Sequence, residues 1–434
     1  EMINGDWSSD VCSSDLSTNN EHSCITLQDV YDAKERIKDV AVVTPLIHPD
    51  NLSRLCGCHL SLKVEALQKC KAFKFRGAYN MVKTLPEGTT VVCVSAGNHS
   101  QGVARAATIC HCKSIIYMPE NAPIAKVNAT KSYGGEVVQI GETFDDAKNA
   151  MENDLKQHSD WVYIPPFDDK HVIAGQGTIA LEINEQYPEV DTIVVPIGGG
   201  GLISGIAYTM KKLNPNVRII GVQMASCPST YKLYNKKKRR FTQTLAKETK
   251  TPLADGIAVK QPGEQNLDII YHYVDDVVVV SEDDVALAVA LLAERAKLIS
   301  EGAGASSFAA VYTKKFYFEE NERVCCIISG GNIELKMLSR CIDRALFLRG
   351  TRMMIQAVLP YGTINYSKFL DILVSNHIDV LSTLSLPHVD VYANKEHYSL
   401  TIDIPNTQAL EKVKNECSEK GWIITQLSSA PVDE

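Results

Sequence analysis

The sequence predicts an α/β fold built on parallel sheets, followed by a smaller unit with a βαββαβ order of elements. Short apolar runs alternate with helical segments from Thr90 to Ile328, the signature of βαβ units and a parallel sheet. Three of these runs end in loops rich in glycine, serine and asparagine, beginning at Ser95, Gly198 and Ser329; ligands bind at such carboxyl ends of parallel strands. After Gly350 the pattern changes to a different strand and helix order. The chain has 434 residues, room for two to three domains at roughly 150 residues each.

Residues 1–20 carry no hydrophobic period and are rich in Ser, Asp and Asn. The run from Asp6 to Leu16 resembles translated sequencing-adapter sequence, so this stretch is expected to be a disordered, non-native leader. Thr26, with Asp29 three residues on and an apolar period through Val30, Ala33 and Ile37, predicts a capped helix. Strands are predicted at 90–94, 114–117, 136–140, 192–195, 217–222 and 324–328. Helices are predicted at about 101–109, near 124–133, and after the glycine run as far as about 213. Beyond a boundary at about 348–351, strands are predicted at 353–358, 380–386, 389–394, 398–404 and 423–427, with helices at 366–376 and 407–420. That is βαββαβ with one possible extra strand.

Composition narrows the function classes. Lys+Arg number 44 and Asp+Glu 52, a net charge of −8, and 45 % of residues are hydrophobic. These are ordinary globular values. The acidic balance offers no surface for nucleic acid or an anionic membrane, and the basic run at 236–240 reads as a solvated loop. Thirteen cysteines show no zinc-ligand spacing and read as reduced thiols of a cytoplasmic protein. The first twenty residues contain no apolar core of a secretory signal. The charge-free stretch 192–210 is interrupted by Pro196 and four consecutive glycines, which excludes a spanning helix.

Four loops carry chemistry. Gly198-Gly199-Gly200-Gly201-Leu202 follows an apolar strand and opens a helix. Glycine permits close backbone approach, and helix N-terminal amides attract anions. The pattern is neither a dinucleotide fingerprint nor a P-loop, which leaves a phosphate site or a plain tight turn. Lys71-Ala72-Phe73-Lys74-Phe75 sets lysines among aromatic rings. A lysine desolvated in this way has a lowered pKa and favours imine chemistry; the other reading is surface lysines at a helix start. Ser95-Ala96-Gly97-Asn98-His99 gathers backbone donors at a strand end and can hold a carboxylate or simply cap a helix. Ser329-Gly330-Gly331-Asn332 is a loop of the same kind.

Together the loops resemble fold-type II pyridoxal-phosphate enzymes, the tryptophan synthase β-like group, and within it the threonine dehydratase (threonine ammonia-lyase) and serine racemase branch. The matching words, in order, are Phe73-Lys74-Phe75-Arg76-Gly77-Ala78, the stretch from Ser95 to Ala104, Gly175-Gln176-Gly177-Thr178-Ile179-Ala180, the four glycines, Asp255-Gly256, Glu301-Gly302-Ala303-Gly304-Ala305, and Ser329-Gly330-Gly331-Asn332. The resemblance implies a catalytic domain over 21–349, with a small lobe at about 70–170 inserted in a large one. It implies that Lys74 bonds the cofactor covalently and shuttles the α-proton, and that Phe73 packs beside the cofactor. Asn98 would hydrogen-bond the cofactor's 3′-oxygen. The amides of Gly198 to Gly201, with Leu202, would hold its phosphate, and Ser329 would face its pyridine nitrogen. Ser95, Ala96, Gly97, Asn98 and His99 would surround the substrate carboxylate.

The implied reaction is β-elimination from L-threonine, and from L-serine, giving a 2-oxo acid and ammonia. The alternatives are a serine racemase with dehydratase side activity, and a non-catalytic amino-acid sensor. Racemases of this branch place a serine where this chain has Ala96, which has no proton to give, and a polar asparagine where it has Phe167. Intact Lys74 and Ser329 argue against the sensor. Gln223 and Ser229 stand where the racemase magnesium site needs carboxylates, so no metal is expected. Residues 350–434 resemble an ACT-like regulatory domain in element order. Leu359-Pro360-Tyr361-Gly362-Thr363 stands at its usual ligand loop, where an amino-acid effector could bind. The expected assembly is a homo-oligomer.

Overall fold

A computed structural model describes residues 22–240, 252–386 and 394–427. The leader at 1–20 and most of the extra strand expected at 389–394 lie outside the described residues.

The first helix, Leu27–Ile37, starts where Thr26 predicts. The Thr26 hydroxyl accepts from the Asp29 amide at 3.2 Å while the Asp29 carboxylate accepts from the Thr26 amide at 2.7 Å, a closed capping box. Its apolar stripe, Val30, Ala33 and Ile37, is buried.

Three sheets follow. The largest has six strands in the order Leu46–Ile47, His59–Val64, Arg323–Ile328, Thr192–Pro196, Arg218–Met224, Asp276–Val280. Only the first pair is antiparallel. A second sheet of four parallel strands runs Glu136–Gln139, Lys113–Met118, Thr90–Val94, Val162–Tyr163. Helices cover both faces of such sheets, so central strands read as unbroken apolar runs rather than alternating ones. Thr192–Pro196 is buried at every position, and Cys325 and Cys326 are both fully buried in the strand beside it. The cysteines of the described residues are free thiols.

The third sheet is antiparallel, in the order Asp379–Ser385, Lys395–Asp403, Arg352–Pro360, Ile423–Leu427. With helices Thr363–Ser375 and Thr407–Glu419 it makes the expected βαββαβ order. Both helices bury their apolar stripes, Phe369 and Leu373 on one and Leu410 and Val413 on the other, in a core with Ile355, Leu400 and Ile402. The run at 236–240 is exposed as expected, but it is not a loop throughout: Lys236, Lys237 and Lys238 form the last turn of the helix Ser229–Lys238, and Arg240 beyond it pairs with Asp276 at 2.6 Å. Among the described residues no helix is long and apolar enough to cross a membrane.

The helix Lys74–Val82 packs against Asn98–Ile109 and Lys170–Gln186. Glycines permit the close approach: a Cβ on Gly77 would lie 2.7 Å from the Val172 carbonyl oxygen, and one on Gly175 would lie 2.7 Å from the Gly77 Cα. Beneath this contact lies a buried ion set. Arg76 donates to Glu65 from Nε and Nη2, both at 2.8 Å, and to Glu182 from Nη1 and Nη2 at 2.6 and 2.9 Å. Lys63 donates to Glu182 at 2.5 Å and to the Thr44 carbonyl at 2.7 Å. Removing one member leaves a buried charge unpaired. Arg76→Met is therefore expected to lower the denaturant midpoint of the chain, at a cost of about 3–5 kcal/mol. A midpoint equal to the unsubstituted chain's would contradict it.

Candidate active site

The strand ends place four loops together. Lys74 opens its helix straight after Phe73, and the Phe73 amide donates to the Ser329 carbonyl at 3.0 Å. Ala72 and Gly330 form an isolated antiparallel bridge, and the Gly331 amide donates to the Lys71 carbonyl at 2.9 Å. The serine loop leaving Arg323–Ile328 is thus zipped onto the residues that lead into Lys74.

The Lys74 amine lies in a cleft between two rings, 5.3 Å from the Phe73 centroid and 5.8 Å from that of Phe167. It donates a hydrogen bond to the Pro166 carbonyl oxygen at 2.5 Å. Burial lowers its pKa to about 8, with no carboxylate opposing the shift. His99 lies deeper, 4 % exposed, with Nε2 2.8 Å from the Ile164 carbonyl oxygen. Burial, with the nearby Lys74 charge, pushes its pKa down to about 3 and keeps it neutral.

The glycine loop joins Thr192–Pro196 to the helix Gly201–Leu213. Gly200 is left-handed, at φ +104. A Cβ on Gly199 would sit 2.2 Å from the Phe167 ring, and one on Gly201 would sit 2.9 Å from the Phe167 carbonyl oxygen. Gly199 and Gly201 are therefore glycine because Phe167 lies directly on them. Asn266 donates to the Phe167 carbonyl at 3.1 Å and to Asp168 at 3.2 Å, fixing that segment. Leu202 is buried in the core below.

The third loop leaves Thr90–Val94. Its Gly97 amide donates to the Ser95 hydroxyl at 3.1 Å, the Ser100 hydroxyl donates to the Gly97 carbonyl at 2.6 Å, and Asn98 is the first helical residue. The helix starts at Asn98, three residues earlier than the 101 predicted, and no side chain caps it at Gly97. Ala96 contributes only a methyl group. Asn98 donates to Glu301 at 2.6 Å and accepts from Asn332 at 2.8 Å.

These contacts join Phe73, Lys74 and Ser329 to one another, Gly199 and Gly201 to Phe167 beside Lys74, and Asn98 to Glu301 and Asn332; Leu202 is buried in the core below, and the Ser95 and His99 side chains bond within the loop and to the Ile164 carbonyl. The sequence reading assigned no role to Glu301, Asn332 or Pro166. Glu301 and Asn332 lie within the loop motifs that carry the resemblance, their only signal in the sequence. Gln223 Nε2 donates to the Ile197 carbonyl and the Ser229 hydroxyl, and its Oε1 accepts from the Tyr231 amide.

The residues fit pyridoxal phosphate. A desolvated, readily neutral amine suits an aldehyde. The first-turn amides of a long helix, which lack intrahelical partners, suit a phosphate. Ser329, 3 % exposed, offers a neutral hydroxyl rather than a carboxylate.

Comparison with known proteins agrees. Residues 37–330 match the family described as pyridoxal-phosphate dependent enzyme. An L-threonine ammonia-lyase of Thermotoga maritima is 39 % identical over 396 residues, covering 90 % of this chain and 97 % of that protein. The processed form of threonine deaminase isoform 2 from Solanum lycopersicum superposes with a TM-score of 0.67 at 34 % identity, over 75 % of this chain and 88 % of that one. Maize serine racemase gives a TM-score of 0.67 at 31 % identity, over 75 % and 99 %. A family match over most of the length, falling on the loops that converge here, means that the chain belongs to the pyridoxal-phosphate dependent enzyme family.

Proposed function

We propose that the chain is an ammonia-lyase that eliminates the β-hydroxyl of L-threonine, and of L-serine, to release a 2-oxo acid and ammonia. The observation that carries this reading is the Lys74 amine, desolvated between Phe73 and Phe167 with no carboxylate partner among the described residues. The relatives named as threonine ammonia-lyase and threonine deaminase support the substrate class.

Bound here, pyridoxal phosphate supplies the electron sink for breaking bonds at the substrate α-carbon. The chain's own residues do the rest. Lys74, neutral once deprotonated, takes the proton from Cα. The amides of Ser95, Gly97, Asn98 and His99, with Ala96 between them, hold the substrate carboxylate. Asn98 would donate to the cofactor's 3′-oxygen, the amides of Gly198 to Gly201 and Leu202 would hold its phosphate, and the Ser329 hydroxyl would serve its pyridine nitrogen. A neutral hydroxyl there would not force that nitrogen to stay protonated, a setting that would suit loss of the β-hydroxyl. Phe73 and Phe167 keep water from the amine. Racemisation needs a second proton donor on the opposite face, and Ala96 has none; such a donor is worth roughly 10²–10⁴-fold in rate. Gln223 and Ser229 offer no carboxylate oxygen to a magnesium ion.

The antiparallel C-terminal unit is proposed as an ACT-like regulatory domain. At its predicted ligand loop Gly362 has φ +120, and the Tyr361 amide donates to the Asn394 carbonyl at 2.8 Å. A hollow lined by Pro360, Asn394, Lys395, Gly421 and Ile423 opens beside it. Met354, Leu384 and Ile423 are exposed on this unit's sheet, an apolar face suited to covering by a second copy in a cytoplasmic homo-oligomer.

Three outcomes test this reading. Lys74→Ala is expected to abolish 2-oxo acid release from L-threonine and L-serine; retained activity, or D-serine formation by the unsubstituted chain, would refute the assignment. Because the amine is neutral only above its pKa, uptake of pyridoxal phosphate by the cofactor-free chain should quicken about tenfold per pH unit up to about 8 and then level off. A profile still rising at pH 10 would mean that the amine is not desolvated. L-Isoleucine or L-valine added to the full-length protein is expected to shift the threonine dependence of the rate, and an unchanged curve with both would remove the effector proposal.

A further inference from the structure

Asn98 lies at the end of a chain of hydrogen bonds whose direction is fixed from its far end. The Cys70 carbonyl oxygen can only accept, and Asn332 donates to it from Nδ2 at 2.8 Å. The same nitrogen donates to Asn98 Oδ1 at 2.8 Å. Asn98 Nδ2 then donates to Glu301 Oε1 at 2.6 Å. A flipped Asn98 amide would set nitrogen against nitrogen at Asn332, and oxygen against oxygen at an ionised Glu301. In the observed orientation, one Nδ2 hydrogen remains to be offered.

Glu301 is built into this place. A Cβ on Gly330 would lie 2.2 Å from Glu301 Oε1 and 3.2 Å from Asn98 Nδ2, so only glycine at 330 leaves room for the carboxyl. The Glu301 amide is tied to the Gly330 carbonyl at 3.1 Å. Burial and the charge of Asp255 raise the carboxyl to about 7, against the Asn98 hydrogen bond and Lys126. Lys126 itself pairs with Asp255 at 2.8 Å. Protonated or not, the carboxyl keeps an oxygen that can accept from Asn98.

We propose that Glu301 is a positioning residue that acts through Asn98, holding its amide so that a donor rather than an acceptor faces the bound cofactor. This rests on the reading above that Asn98 contacts the cofactor.

The test is titration of pyridoxal phosphate into the full-length, cofactor-free protein, following the dissociation constant and the position of the bound cofactor's absorbance band. Asn98→Ala is expected to weaken binding about tenfold, the scale of one hydrogen bond, and Glu301→Met by a similar factor with a displaced band. The double variant should bind no more weakly than Asn98→Ala alone. Glu301→Gln keeps an acceptor and should stay within about twofold of the unsubstituted protein. Single effects that multiply in the double variant, or a Glu301→Met protein that binds and absorbs normally, would overturn the proposal. An Asn98→Ala protein with unchanged affinity would instead refute the reading of Asn98. Should Glu301→Met not fold, Gly330→Ala displaces the carboxyl with Glu301 in place, and is read in the same way with and without Asn98→Ala.

Discussion

Two residues beyond Lys74, the Arg76 guanidinium is fully buried and clamps two carboxylates, Glu65 from the end of a large-sheet strand and Glu182 from the helix Lys170–Gln186. With Lys63 the set balances two cations against two anions. Desolvating four charges is costly, and an apolar packing of equal volume would stabilise the fold as well or better. The ion set adds direction. Paired hydrogen bonds to carboxylates on two different elements fix the rotation of the Lys74–Val82 helix as well as its depth. The side chain at the helix start is then aimed by geometry rather than by contact alone.

A second tether fixes the other side of Lys74, and it carries strain. Cys70 and Lys71 are both left-handed, at φ 60 and 59, a conformation that costs on the order of 1–3 kcal/mol for each non-glycine residue. The hydrogen bonds that hold them are those that bring the serine loop in: Gly331 to the Lys71 carbonyl, Asn332 to the Cys70 carbonyl, and Phe73 to the Ser329 carbonyl. A relaxed backbone at 70 and 71 would release Ser329 from its place beside Phe73. Strain here is the means by which strands distant in sequence, Arg323–Ile328 and His59–Val64, deliver a hydroxyl and an amine to one cleft.

The parts of the fold legible in the sequence were those with local causes. The Thr26 capping box, the apolar run at 192–195 and the glycine loop each follow from residues next to one another. The strand His59–Val64 is not legible in the sequence, because buried Lys63 breaks its apolar run, and the partners that make that lysine tolerable, Thr44, Glu182 and Gln186, lie elsewhere in the chain. The same limit applied at the site. Loop motifs gave Lys74, Asn98 and Ser329 through a family resemblance. They did not say that the glycines at 199 and 201 are required by Phe167, nor that the Asn98 amide is oriented from Cys70 through Asn332. Those are tertiary contacts, and spacing within one segment carries no record of them.

The electrostatics of the cluster are consistent with this division. Around Lys74 the chain removes charge rather than adding it: His99 is held neutral, Ser329 replaces any carboxylate, and Ala96 replaces any hydroxyl. The carboxyl that does enter, Glu301, is shifted to about 7 and engaged by Asn98. A lysine in such surroundings has no ion pair to keep it protonated, and its basicity is set by burial alone. One amine able to carry a proton, with a methyl group where a second donor would stand, allows a proton to leave and return on one face only. Under the proposed reading, stereochemical inversion has no route in this cleft, while loss of a leaving group needs no second donor from the Ala96 position.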